Sequence, residues 1–300
     1  MKIGLIDVDG HNFPNIALMK ISAWHKAQGD EVEWCLPLYH YDIVYQSKVF
    51  DETYSPDIEW FPQADKLVKG GTGYGLDNKL PDEIEHIYPD YSLYPDLTKD
   101  TAYGFLTRGC PRGCDFCIVA PKEGRRSHKV ADLSEFWRGQ KNIVLLDPNI
   151  LACNSRDKVD LLHQLIDSRA VVDFSQGLDI RLTSPYVVEC LNNMRIRRLH
   201  FAWDNPEDDL TPYFERFTKR YKRKSSSGKV VYVLTNFNST MEQNLYRIYT
   251  LRDLGYDPYV MVYDKPNAPK DIRDLQRWCN NRFIFKACER FEDYKTGGGA

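Results

Sequence analysis

Thr107-Arg108-Gly109-Cys110-Pro111-Arg112-Gly113-Cys114-Asp115-Phe116-Cys117 sets three cysteines at C-x3-C-x2-C in a turn rich in glycine and proline. The four residues before it, Tyr103-Gly104-Phe105-Leu106, read as the end of a strand. Gly109, Pro111 and Gly113 let the backbone turn sharply and point its N–H groups inward. Three thiolates so close together can converge on one small object. An iron–sulfur cube takes thiolates on its irons, and three cysteines would leave its fourth iron open for chemistry. Zinc usually asks for a second C-x2-C knuckle or histidines; no second knuckle follows, and the nearest histidine is His128. Three buried structural cysteines would be odd in such a turn. A disulfide fits poorly with a start, Met1-Lys2-Ile3-Gly4-Leu5-Ile6-Asp7, that does not read as a secretion signal.

Downstream of this loop the pattern alternates between strand and helix. Strands are expected at 102–107, 142–147, 171–176, 196–203, 229–235 and 258–263, with helices near 131–138, 156–168, 185–194, 207–222, 239–254 and 269–282. Ser239-Thr240-Met241-Glu242 reads as a capping box, and Gly255 suits the position just past a helix end. Six such units imply a parallel sheet with helices outside, and chemistry in such folds sits at the C-terminal ends of the strands. Those ends read Asp147-Pro148-Asn149, Ser175-Gln176-Gly177, Trp203-Asp204-Asn205, Thr235-Asn236 and Tyr263-Asp264-Lys265. The scattered Cys35, Cys153, Cys190, Cys279 and Cys288 read as small buried hydrophobes.

The loop resembles the cluster motif of the radical S-adenosylmethionine (radical SAM) superfamily, with aromatic Phe116 before the third cysteine. Its wording is similar to the branch that includes the methylthiotransferases and the cobalamin-binding radical SAM enzymes. The resemblance covers residues 98–285 well and the first hundred loosely. It implies an open (β/α)6 partial TIM-type barrel and a [4Fe–4S] cluster held by Cys110, Cys114 and Cys117. The open iron would chelate SAM, whose reductive cleavage gives a 5′-deoxyadenosyl radical that takes a hydrogen atom from substrate. A flavodoxin- or ferredoxin-type electron donor is implied as well. Carried onto this sequence, the resemblance puts Asp147 and Asn149 by the SAM amino group. Gln176, Asp179 and Arg181 fall by its ribose and carboxylate, which an arginine fork suits. Phe116 lies by the adenine and Asn236 by adenine or ribose. Trp203 and Asp204 join the same ligand contacts, with Asp264 near them and substrate as the nearer partner.

Ahead of the loop, Lys2 to Val8 reads as a buried strand. A helix runs from Pro14 to Gly29, a second strand spans Glu31 to Cys35, and a third lies around Ile43–Phe50. This small Rossmann-like α/β domain, residues 1–80, resembles a shortened cobalamin-binding domain, or a cap. Asp7-Val8-Asp9-Gly10-His11 departs from the D-x-H-x-x-G spacing of cobalamin proteins, so His11 reads as a loop residue. Lys69-Gly70-Gly71-Thr72-Gly73-Tyr74-Gly75 lacks both the P-loop and the dinucleotide pattern and reads as a mobile loop near the site. Residues 81–100, with Pro81, Pro89 and Pro95, read as a linker, 101–290 as the barrel, and 291–300 as a flexible tail.

A net charge of −3 gives no global basic field for nucleic acid, although Lys122, Arg125, Arg126, His128 and Lys129 follow the cysteine loop closely. The run from Lys219 to Lys229 reads as a solvated helix end. No stretch approaches a membrane span, and a reducing cytoplasm suits the cysteines. The expected activity is radical modification of a nucleotide, peptide or metabolite. Cobalamin-dependent methylation, and a non-catalytic iron–sulfur scaffold or sensor, are the alternatives.

Overall fold

The computed structural model describes residues 1–10, 12–222 and 228–294; His11, the middle of the basic run at 219–229 and the end of the tail lie outside them. β1 (Lys2–Asp7) is followed by α1 (Ile16–Ala27), β2 (Glu31–Trp34), β3 (His40–Ser47) and β4 (Gln63–Gly70). The four strands form one parallel sheet in the order β2-β1-β3-β4. Ile3 and Leu5 on β1 bury against Leu18 and Ile21 of α1, and Asn15 caps the helix by accepting from the Leu18 N–H.

β4 was not expected, and it changes the reading of the glycine-rich loop. Lys69 and Gly70 are its last two residues, paired with Gln46 and Ser47 of β3. Gly73 donates to the Lys48 carbonyl at 2.9 Å. A Cβ at Gly71 (φ +93°) would run into the Lys48 carbonyl, and one at Gly73 into that of Phe50. These glycines permit a close backbone approach, so the segment is packed down rather than mobile.

Residues 81–99 are likewise not an extended linker. They carry α2 (Asp82–Glu85), a 3₁₀ turn at Tyr91–Leu93 and α3 (Pro95–Thr98). Asp90 accepts from Ser22 and Lys26 of α1 at 2.7 Å each. Tyr94 donates to Asp7 at 2.6 Å, and Tyr91 to the Phe136 carbonyl at 2.6 Å.

After β5 (Thr101–Gly104) comes the cysteine loop, framed by a short antiparallel pair, β6 (Thr107–Arg108) and β7 (His128–Lys129), with α4 (Val119–Glu123) between them. β8 (Asn142–Leu145), α5 (Ser155–Ser168), β9 (Val171–Phe174), α6 (Pro185–Asn193) and β10 (Arg195–Ala202) follow. α7 (Thr211–Arg220), β11 (Lys229–Thr235), α8 (Met241–Asp253), β12 (Asp257–Val262), α9 (Lys270–Asn280) and α10 (Arg282–Ala287) complete the alternation. The six longer-range strands form one parallel sheet whose spatial order, β12-β11-β10-β9-β8-β5, is the order of the chain. The fold is therefore mixed α/β with two parallel sheets, of four and six strands, and the six-stranded sheet does not close on itself.

One face of this sheet is the main core. Ile143, Val172, Phe201, Val231 and Val260 pack against Leu161 and Leu162 of α5, Val187 of α6, Phe214 of α7, Ile248 of α8 and Trp278 of α9. The helix expected at 131–138 is only a 3₁₀ turn, Leu133–Glu135. Phe136 lies against Gly104, where a Cβ would strike its ring, and its carbonyl is held by Tyr91; both pull the chain away from a second turn. The capping box of α8 sits one residue later than the sequence suggests, at Thr240 and Gln243, while Gly255 (φ +77°) ends the helix as expected.

Candidate functional site

The cysteine loop is pinned at its neck. Glu123 accepts from Arg108 at 2.7 Å and from the Gly109 N–H at 3.0 Å, and the Cys110 N–H donates to the Gly124 carbonyl at 3.2 Å. Gly109 (φ +80°) and Gly113 (φ +59°) take the left-handed region that the turn needs, and a Cβ at Gly109 would collide with the Arg126 carbonyl. Just after them the Cys117 N–H closes a turn on the Cys114 carbonyl at 2.9 Å.

Cys110, Cys114 and Cys117 are half-buried, free thiols. Burial raises the Cys114 and Cys117 thiol pKa values, and the neighbouring cysteines and Asp204 add to this, so the three sulfurs and Asp204 lie within electrostatic reach of one another. Among the described residues no group of three His, Cys, Asp or Glu side chains forms a ready site for a single metal ion. A cube spreads its thiolates over separate irons, so its ligands need not crowd around one point. Two observations fit such an occupant. Asn149 Nδ2 donates to Cys110 Sγ at 3.6 Å, and Asn149 Oδ1 is buried with no hydrogen-bond partner. The Asn149 amide thus donates to one thiol of the loop while its own oxygen goes unanswered.

Asp147 is fully buried and accepts from the Leu106 N–H, the Thr107 N–H and the Thr107 hydroxyl. Burial pushes its pKa up to about 6, against the pull of those donors. It ties the end of β8 to the chain leading into the loop. Gln176 is exposed at the end of β9. Asp179 is engaged on several sides: it accepts from the Arg181 N–H at 3.1 Å, from Arg181 Nε at 2.8 Å and from Arg112 of the cysteine loop at 2.5 Å. Arg181 extends Nη1 to Asp208 at 2.9 Å.

Trp203 requires a correction. Expected among the ligand contacts, it is 1 % exposed, packs in the core against Phe214 and donates Nε1 to the Asp208 carbonyl at 2.8 Å. Alternation along β10 sends it to the helix-covered side, while Asp204, one residue on, faces the site. Burial pushes the Asp204 carboxyl up to about 6, with Arg247 and Arg181 opposing. Asn236 has φ +60° and donates to the Tyr263 carbonyl at 2.8 Å, joining the ends of β11 and β12. Asp264 precedes a 3₁₀ turn beyond β12, and its carboxylate accepts from the Asn267 side-chain amide at 3.1 Å.

Phe116 meets Phe237 edge to face, centroids 5.6 Å apart, and Phe237 meets Tyr263 at 5.0 Å. The loop that leaves β5, one edge of the sheet, thus touches the turn that leaves β11, which in turn meets the end of β12 at the other edge.

No known family model matches the chain, and neither does any curated protein.

The sequence reading quoted Arg112 and Tyr263 without a role of their own and passed over Phe237 and Arg247. Arg112 and Phe237 sit beside residues singled out by motif, and only the fold shows what they reach. Arg247 lies mid-helix on α8, where an arginine ordinarily faces solvent. Here it is fully buried, donating to the carbonyls of Trp203 (2.7 Å), Asp204 (3.0 Å) and Leu234 (2.9 Å) and to Asn244 (2.6 Å). Burial lowers its pKa to about 10, so it keeps its charge at neutral pH beside Asp204.

Proposed function

We propose that the chain is a radical SAM enzyme. In this reading the six-stranded sheet is an open (β/α)6 partial barrel with a [4Fe–4S] cluster at its mouth. The observation that carries the reading is the path of the three-cysteine loop. Leaving the first strand, it crosses the C-terminal ends of the sheet to Asp179 after β9 and to Phe237 after β11. Strand ends of a parallel sheet are where ligands bind. When bound, the cluster would supply the electron for reductive cleavage of SAM.

The chain's own residues divide the remaining work. Cys110, Cys114 and Cys117 are the ligands, and Asn149 donates to the first of them. Asp147 fixes the start of the loop and Arg112–Asp179 fixes its crown. Arg181 is braced on Asp179 through Nε, while its Nη1 rests on the partly exposed Asp208. A ligand carboxylate can replace Asp208 there and be met by a fork already aimed. Gln176 and Asn236 border the same mouth for the ribose and base, and Phe116 offers its face to the adenine. Asp204, held beside Arg247, faces the thiols at the mouth. An external one-electron donor of flavodoxin or ferredoxin type completes the scheme.

Anaerobic reconstitution with iron and sulfide, followed by dithionite and SAM, tests this. Wild type should bind about four irons per chain and release 5′-deoxyadenosine, and Cys114→Ala should do neither. A stable four-iron centre without SAM cleavage would favour a scaffold or sensor. No iron bound at all would sink the proposal.

A further inference from the structure

The face of the six-stranded sheet opposite the helices carries a set of groups that the cluster loop does not use. β10 contains a bulge. Ile196 pairs with Val172 and Arg198 with Asp173, so Arg197 is an extra residue. The bulge puts Arg197 and Arg198 on the same side instead of alternating them. Both are exposed, and neither guanidinium has an ion pair among the described residues. Arg197 lies within electrostatic reach of Tyr103, and Arg198 of Tyr232, His200 and Asp257.

Above the arginines, toward the cysteine loop, the same face is aromatic. His200 stacks on Tyr232 with an interplanar angle of 2° and centroids 5.4 Å apart. Tyr232 meets Tyr259 edge to face at 6.0 Å, and Tyr259 is 41 % exposed. Burial lowers the His200 pKa, which keeps the ring neutral. Its Nδ1 lies 3.2 Å from the Phe174 carbonyl and 3.5 Å from Asp173 Oδ1. That Asp173 oxygen is buried and makes no hydrogen bond, so an acceptor stands unanswered between the rings and the arginines.

We propose that this face binds a nucleoside phosphate, with the base against Tyr232 and Tyr259, a base or sugar donor on Asp173 Oδ1, and the phosphate on Arg197 and Arg198. Aromatic rings take any base by stacking, and two unpaired guanidiniums match a phosphate in charge and shape. The order of the groups along the strands points the base toward the cysteine loop and the phosphate away from it. That this ligand is the substrate rests on the radical SAM reading; that it binds does not.

Binding to the full-length protein tests the proposal by isothermal titration, with and without reconstituted cluster and saturating SAM. The probes are the four ribonucleoside 5′-monophosphates, their nucleosides, ribose 5-phosphate and a short single-stranded oligoribonucleotide. At least one monophosphate should bind at least about tenfold more tightly than its nucleoside and than ribose 5-phosphate, a difference set by the phosphate and the base in turn. Doubly substituted Arg197→Gln/Arg198→Gln should erase the phosphate advantage, and Tyr259→Ala should weaken nucleoside and nucleotide alike. A tighter oligonucleotide would make RNA the source of the ligand, and a weaker one the free nucleotide. No binding by any probe, binding competed away by SAM, or binding indifferent to the two arginines would overturn it. SAM cleavage without nucleotide binding would remove this inference alone, and nucleotide binding without SAM cleavage would remove the enzymatic reading alone.

Discussion

Asp147 shows how one residue can hold a site without entering its chemistry. Its carboxylate collects the donors of Leu106 and Thr107 in a fully buried setting, and burial still wins, taking its pKa from 3.8 to about 6. A folded-state pKa raised in this way favours the protonated form. The stability it brings is complete below about pH 4 and lost as pH rises through 6. The stability margin of wild type over Asp147→Asn should therefore narrow between pH 4 and 7, by no more than about 3 kcal/mol. Urea unfolding across that range measures it, and a widening margin would mean that the donors outweigh burial. The turn at the cysteines and the strand end at Asp147 were legible because a spacing and a strand end are written in the sequence, but Asp147, expected beside a ligand amino group, is spent on Leu106 and Thr107. Trp203 was misplaced because a strand end does not say on which residue the alternation finishes.

Among the elements, α8 and the ends of β10 and β11 act as one unit through Arg247. Arg247→Met would leave three backbone carbonyls without their donor and Asp204 without its nearest positive charge. The expected cost is about 3–5 kcal/mol in chemical denaturation, as when one partner of a buried pair is removed. Arg247→Lys, which keeps the charge but loses the fork, should cost less. Five of the six strands of the large sheet could be read almost to their bounds because the helix-covered face demands a core residue from each, Ile143, Val172, Phe201, Val231 and Val260. β4 escaped for the opposite reason. It is an edge strand, Gln63-Ala64-Asp65-Lys66-Leu67-Val68-Lys69-Gly70, largely solvent-facing, with no apolar run to announce it. Asp132 and Glu135 do form a reciprocal cap, yet tertiary contacts at Phe136 end the turn they start.

Across the whole molecule, the two sheets are joined by more than chain. Phe13 packs edge to face on Tyr103 at 5.2 Å, Trp34 meets Tyr94 at 5.3 Å, and Lys122 behind the cysteine loop reaches Thr72 in the glycine-rich segment. Residues 81–99 are part of that junction, although their prolines and tyrosines resemble a spacer. Limited proteolysis of the native protein should spare 81–99 under conditions that cut exposed loop tips, and early cleavage there would contradict the packing. No helix among the described residues is long and apolar enough to cross a membrane.

The large sheet adds its strands in chain order, and that has a consequence for synthesis. A chain emerging from the ribosome N-terminus first finds, for each new strand, a neighbour already made. The three thiols emerge just after the first of the six strands, whereas Phe237, which meets Phe116, and Tyr263, which meets Phe237, come with the last two. For most of translation the loop therefore stands without its Phe116–Phe237 contact, and on the reading proposed above a cluster would find the cysteines most open before the final strands are made.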